Sequence, residues 1–313
     1  MRRAVLILAT LLCVAHHASA QNLQFGMNTR VLTPRMADKM VELGAGVVRV
    51  PFGWDLIEPS CKGCFNWAVT DAWRDEARRT HRTIFGSLAY APAWANGGER
   101  YFYPPLNYQD WYDFVFAVVS RYKDDVALWG VWNEPNLDHF MKGADLRVYR
   151  SLVIGARAAI VAANPAALVL GPEVSQHALS NGWYVEIMDD VGDLFDIVTV
   201  HWYADGPALE HFMDDLVRPF ARGKPVWLSE TGIAPCASVF GEIGQALFYQ
   251  RVLNAFLPRR EWWTGVSFYD LHDDPSPKDC GSAITRPDWS NRPAFKLYQS
   301  VIRTHPDPAL TTR

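Results

Sequence analysis

The sequence predicts an α/β fold, a single (β/α)₈ TIM-type barrel. Short apolar or β-branched runs alternate with amphipathic stretches along the chain, the pattern of βα units around a parallel sheet. Eight such runs, each followed by a helical pattern, fill most of a chain of 313 residues, a length that suits one closed barrel better than an open sheet. No low-complexity linker or sequence repeat divides it, so one core and one domain over residues 21–313 are expected.

In chain order the strands are centred near Phe25, Val48, Phe85, Val131, Leu170, Val198, Trp227 and Phe268. The helical patterns cover Pro34–Leu43, Thr70–Arg82, Tyr108–Tyr122, Asp145–Ala163, Ser180–Val191, Ala208–Arg222, Gly241–Leu257 and Arg292–Thr304. In the third of these, Trp111, Phe114, Val115, Val118 and Tyr122 share one face, as a helix of 3.6 residues per turn requires. Residues 1–20 stand outside the barrel. Arg2 and Arg3 precede an apolar stretch, Ala4–Ala15, and Ala18-Ser19-Ala20 has small residues where signal peptidase needs them. This reads as a secretory signal peptide cut after Ala20. A membrane anchor needs roughly 20 apolar residues, and His16 and His17 interrupt the run. The expected location is secreted or periplasmic, with no anchor left after cleavage.

In that oxidising setting Cys61, Cys64, Cys236 and Cys280 are expected as two disulfides, Cys61–Cys64 and Cys236–Cys280. Cys61-Lys62-Gly63-Cys64 also has the spacing of a zinc half-site or a redox motif, but Cys236 and Cys280 do not form a matching second half. The 30 Lys+Arg against 34 Asp+Glu give a net charge of −4. Without a basic excess, neither nucleic acid nor an anionic membrane is an expected partner. The 13 Trp, 12 Tyr and 16 Phe suit either an ordinary core or a site that stacks on flat ligands.

In a (β/α)₈ barrel the chemistry sits at the C-terminal ends of the strands. Those positions hold Arg49, Pro51 and Trp54 after strand two, and Tyr90, Pro92 and Trp94 after strand three. Asn133-Glu134-Pro135-Asn136 follows strand four, and Pro172-Glu173 strand five. His201, Trp202 and Tyr203 end strand six, Glu230-Thr231-Gly232 strand seven, and Tyr269, Asp270 and His272 strand eight. Glu134 and Glu230 stand out, because ionised carboxylates are rarely buried without a partner or a task. From strands four and seven they can converge over the barrel mouth. Two such groups suit glycosidic cleavage, provided one is ionised and the other protonated. Glu173 is a rival with the same local setting. Arg49 can serve Glu230 or pair with Asp55 or Glu58; His201, Asp270 and His272 can also be read as metal ligands, though no H-x-H pattern supports them. Trp54, Trp94, Trp132 and Trp202 fall at strand ends, where indole can stack on a sugar.

Trp132-Asn133-Glu134-Pro135-Asn136, preceded by Trp129-Gly130-Val131, resembles the acid/base strand of the retaining glycoside hydrolases of clan A, families 5 and 39 in particular. Gly46-Val47-Val48-Arg49 with Trp54 and Ile57-Glu58-Pro59 is similar to the clan's second strand and loop. Pro92-Ala93-Trp94-Ala95 resembles the third loop of family 39, and His201-Trp202-Tyr203 the sixth strand. Trp227-Leu228-Ser229-Glu230-Thr231-Gly232 resembles the nucleophile strand, and Arg292-Pro293-Ala294-Phe295 the start of the last helix. The resemblance implies Glu134 as acid/base, Glu230 as nucleophile and Asn133 on the sugar 2-hydroxyl. It further implies that Tyr203 and Arg49 orient Glu230 and that His201 lines the site. Many clan members place a Trp at the end of strand eight, under the reacting sugar. Here Phe268-Tyr269-Asp270-Leu271 stands there, leaving Tyr269 or another aromatic residue as the platform.

The expectation is a monomeric retaining hydrolase without metal or cofactor, endo-acting on a β-linked polysaccharide or oligosaccharide. An exo-acting β-glycosidase or β-xylosidase, or a barrel that binds carbohydrate without cleaving it, is the alternative.

Overall fold

The computed structural model describes residues 25–203, 208–272 and 281–306. The signal-type segment and Cys280 lie outside these residues. Eight parallel strands close into a barrel in sequence order, with β1 pairing both β2 and β8. The strands are β1 (Phe25–Asn28), β2 (Val47–Gly53), β3 (Thr83–Ala89), β4 (Leu128–Val131), β5 (Leu168–Val174), β6 (Ile197–Tyr203), β7 (Val226–Gly232) and β8 (Trp263–Phe268). Between β1 and β4 run α1 (Pro34–Leu43), the one-turn α2 (Trp54–Ile57), α3 (Ala68–Thr80) and α4 (Tyr108–Tyr122). Next come α5 (Leu146–Ala163), α6 (His177–Ser180), α7 (Trp183–Val191), α8 (Leu209–His211), α9 (Gly241–Phe256) and α10 (Pro293–Thr304).

Local chemistry sets these boundaries. Thr33 caps α1 through its side chain, with Pro34 at the first turn, and Gly44 closes it in a left-handed conformation. Asn107 and Asp145 cap α4 and α5 in the same way. The continuous helix expected over Ala208–Arg222 is instead α8 followed by a π-helical turn, Phe212–Val217, and a 3₁₀ turn at Arg218–Phe220. Pro219 lacks the N–H that a regular α-helix needs there.

Two apolar layers result. The helices pack on the outer face of the sheet in one continuous cluster. Inside the barrel, Val47, Phe85, Leu128, Leu168, Leu170, Ile197 and Trp227 form a second cluster made of strand residues alone. Phe85 and Trp227, from β3 and β7, meet edge to face at 6.2 Å across this interior. Strand side chains alternate with period two, so the next inward positions toward the C-terminal end are Arg49, Ser87, Thr199 and Ser229. A polar storey therefore stands directly on the apolar plug; the Arg49 guanidinium lies 5.6 Å from the Phe85 ring centre.

The plug leaves no spare volume. A Cβ on Gly265 would lie 2.5 Å from the Trp227 indole. We expect Gly265→Ala to cost about 1–3 kcal/mol through overpacking, read as a lower urea midpoint. An unchanged midpoint would contradict this packing.

Candidate active site

The site grows from β2. Arg49 is buried, and its five N–H groups all find acceptors. Nε and Nη2 donate to Glu173 Oε2 at 2.9 and 2.6 Å. Nη1 donates to Asn28 Oδ1 and to Glu230 Oε2, both at 3.0 Å, and Nη2 to Asn133 Oδ1 at 2.8 Å. Arg49 thus serves Glu230 and not Asp55 or Glu58. Burial alone would lower its pKa, but the charges of Glu173 and Glu230 outweigh that and hold it above its ordinary value.

Glu173 has no solvent access and accepts from Arg49 and from Ser229 Oγ at 3.0 Å. Burial would raise its carboxyl, yet Arg49 and then His201 hold it down at about 2. It is not among the residues that border the cleft, so the rival carboxylate stands as a sealed counter-charge to Arg49. His201 is also fully buried. Its Nδ1 lies 3.0 Å from Glu134 Oε1 and its Nε2 lies 3.7 Å from Glu173 Oε2. Burial opposes its charge, but Glu230, Glu134 and Glu173 together raise the imidazole to about 9.

Glu134 and Glu230 converge as expected. One carboxylate oxygen of each, with a ring nitrogen of His201, lies within 4.8 Å of the others. Tyr203 donates its hydroxyl to Glu230 Oε1 at 2.5 Å, so both Glu230 oxygens are held. Among the described residues, Glu134 is held through Oε1 alone, by His201. Trp132, Glu134 and Glu173 all have positive φ, at 66°, 42° and 55°, a region costly for residues with side chains. Cross-strand bonds hold them there: Trp132 N donates to Leu88 O, and Glu134 N to Glu173 O. A register shift after Val200 sets His201 beside Glu230 on the neighbouring strand.

Among the described residues, these three groups are also the cluster that could hold a cation. Two of their oxygens are already engaged, Glu230 Oε2 by Arg49 and Glu134 Oε1 by His201. The other metal reading fails on geometry, because His272 bonds Thr285 Oγ1 and stacks on Trp289 at 3.5 Å.

A cleft of about 1020 Å³ opens over these groups. Arg49, Asn133, Glu134, Tyr203, Glu230 and Tyr269 border it, and Arg30 donates to the Tyr269 hydroxyl at 3.1 Å. The Tyr269–Asp270 peptide is cis. The indoles expected at the sugar are elsewhere. Trp54 is buried against Phe114 and Trp94, and bonds Glu58 Oε2. Trp94 bonds Glu58 O. Trp202 lies buried between Phe248 and Arg251, and Trp132 bonds Phe140 O. None of the four borders the cleft; Trp202 alternates outward from β6 into the helical layer, while Trp54 begins α2 and Trp94 lies in the loop after β3. The cleft's aromatic wall is Tyr90, Tyr101 and Phe140 instead. Asn28, which holds Arg49, was missed although it ends β1 and satisfies the strand-end rule. Tyr101 and Phe140 lie in irregular loops without a periodic signal.

Cys61 and Cys64 form the expected disulfide. Cys236 is also disulfide-bonded.

The pH dependence of stability follows from the two shifted groups. The Glu173 contribution is complete above its ordinary value of 4.5 and is lost as pH falls through about 2. The His201 contribution is complete below 6.5 and is lost as pH rises through about 9. We expect His201→Gln to flatten the loss of urea stability between pH 6.5 and 9; an equally steep loss would contradict the shift.

Residues 58–212 match Glycosyl hydrolases family 39. A β-xylosidase of Geobacillus stearothermophilus is 30% identical over 132 residues, which cover 38% of this chain and 26% of that protein. A family 39 glycoside hydrolase from Bacteroides cellulosilyticus WH2 superposes with a TM-score of 0.71 at 18% identity, over 89% of this chain and 63% of that one. A psychrophilic family 10 endo-β-1,4-xylanase superposes with a TM-score of 0.68 at 18% identity, over 88% of this chain and 96% of its own. The match spans about a quarter of the curated β-xylosidase. The chain is therefore related to the family 39 glycosyl hydrolases through residues 58–212, and shares their barrel over most of its length.

Proposed function

We propose that this protein is a retaining glycoside hydrolase acting on β-linked glycans, with Glu230 as nucleophile and Glu134 as acid/base. The observation that carries this reading is the pair of unequal carboxylates, an oxygen of one within 4.8 Å of an oxygen of the other. Retaining enzymes hold their two carboxyl groups about 5–5.5 Å apart, whereas inverting ones leave room for a water at about 6.5–9.5 Å.

The inequality assigns the roles. Glu230 receives a hydrogen bond on each oxygen, one from a cation, which fixes the carboxyl group in place to attack. Glu134 Oε1 faces His201, and Oε2 is left to carry the proton toward the leaving oxygen. In the first step a Glu230 oxygen bonds to the anomeric carbon as the C–O bond to the leaving group breaks. The Glu134 proton passes to that departing oxygen. In the second step Glu134 takes a proton from water, whose oxygen bonds to the anomeric carbon and releases Glu230. Asn133, fixed by Arg49, reaches the 2-hydroxyl, and Arg49 compensates Glu230 before and after each transfer.

Endo action is supported by the size of the cleft, at the upper end of the roughly 300–1,000 Å³ usual for small-ligand sites, and by an endo-acting relative that is itself little more than a barrel. The β-xylosidase relative favours the exo reading; product sizes from purified xylan, glucan and mannan separate the two. The Cys61–Cys64 disulfide supports the secreted or periplasmic location that the N-terminal segment suggests. Among the described residues no helix is long and apolar enough to cross a membrane.

A slow 2-deoxy-2-fluoro-glycoside is expected to leave a covalent sugar on Glu230, found by peptide mass spectrometry. A label on Glu173, or on no carboxylate, would contradict the assignment. Glu134→Gln is expected to lower kcat about 10²–10⁴-fold on substrates with poor leaving groups, with added azide restoring turnover as a glycosyl azide of unchanged configuration. Undiminished hydrolysis by this variant would remove Glu134 from the mechanism.

A further inference from the structure

Among the described residues, Tyr203 and Glu230 line the cleft from β6 and β7. The cleft extends past Arg49 and Pro51 into a lobe lined by Gly53, Asp55, Leu56, Val69 and Trp73. These residues belong to the end of β2 and to α2 and α3, and the catalytic mechanism uses none of them.

We propose that this lobe is a subsite for a further, uncharged sugar unit of the substrate, with the Asp55 carboxylate accepting hydrogen bonds from its hydroxyls. The assignment rests on the glycoside hydrolase reading and adds a substrate class to it: an oligomer whose second recognised unit is neutral rather than a uronate.

Three features carry it. Asp55 is half-buried on the cleft wall, and no cation pairs with it among the described residues. Burial raises its carboxyl, opposed only by the backbone N–H groups of Leu56 and of Asp55 itself. A carboxylate so placed retains acceptor capacity facing the cleft. Second, Gly53 makes room for it: a Cβ there would lie 2.6 Å from Asp55 Oδ1. Third, apolar side chains lie open around the carboxylate. Leu56 and Val69 are 39% and 38% exposed, and Val31 across the cleft is 39% exposed. Carboxylate oxygen beside open aliphatic surface matches a pyranose, which presents hydroxyls at its rim and C–H groups on its faces. A uronate would bring a second negative charge against Asp55.

The lobe is also braced from behind. Glu58, just beyond α2, accepts from Trp54 Nε1 at 2.6 Å and from Gly63 N within the Cys61–Cys64 loop, and its carbonyl accepts from Trp94 Nε1 at 2.8 Å. Trp54 and Trp94 therefore act as positioning residues for α2, which carries Asp55 and Leu56 into the cleft. A subsite fixed in advance avoids part of the ordering cost of binding.

The test is calorimetric titration of the full chain carrying Glu230→Gln, with and without Asp55→Ala, using cello-, xylo- and manno-oligosaccharides of one to six units. In at least one series affinity is expected to rise beyond a single unit. Asp55→Ala is expected to remove about tenfold of that rise, the scale of one hydrogen bond to a charged group. Asp55→Asn keeps the side-chain shape and stands in where the alanine variant does not fold; its expected loss is smaller. No rise with length in any series, a rise independent of residue 55, or equal binding of a glucuronate-bearing oligomer and its neutral counterpart would each overturn the proposal. Hydrolysis persisting in the Glu230→Gln chain would instead count against the mechanism, so the two failures are distinguishable.

Discussion

Everything at the mouth of this barrel depends on one buried guanidinium. Arg49 ties β2 to β1, β4, β5 and β7 through Asn28, Asn133, Glu173 and Glu230. Two buried cations, Arg49 and His201, stand among three carboxylates. Removing one member of such a cluster leaves a charge without solvent or partner, a loss larger than the value of any one bond in it. Glu173 is the clearest case. It is not among the residues that border the cleft, yet without it Arg49 would lose the carboxylate that takes two of its five N–H groups. The fork of Arg supplies five fixed donors, which Lys cannot reproduce.

Much of this was legible in the sequence, for a simple reason. Alternation along a strand and the rule that chemistry follows the strand are both local, so Arg49, Glu134, His201, Tyr203 and Glu230 could be named from their positions alone. The helix at Tyr108–Tyr122 was bounded correctly because its apolar period is long and unbroken. The strand-end rule also contained Asn28 at the end of β1. Other features were not local. Glu173 has the same neighbours in sequence as a catalytic glutamate; only the closed sheet sets it beneath Arg49 and out of reach of solvent. The choice between Arg49 partners was likewise a matter of tertiary geometry.

The tryptophans show the limit most plainly. Their abundance suggested a sugar-stacking surface, and four stood at strand ends. Yet one position along a strand decides between cleft and helical layer for Trp202, and Trp54 and Trp132, just past their strands, are buried in packing as well. Of the cleft's aromatic lining, Tyr90 follows β3 where the strand-end rule looks, whereas Tyr101 and Phe140 lie on loops whose course no periodicity foretells. Trp54 and Trp94 still bear on the cleft indirectly, by fixing Glu58 and with it the short helix that forms one wall.

The central claim is that Glu230, held on both oxygens, and Glu134 stand close enough for double displacement. It is tested most directly by the anomeric configuration of the first product. Proton NMR recorded within seconds of adding the full chain to a β-linked oligosaccharide, before mutarotation, is predicted to show the β-anomer first, with the α-anomer growing in later. Release of the α-anomer first would mean that water, and not Glu230, attacks the sugar, and would contradict the account.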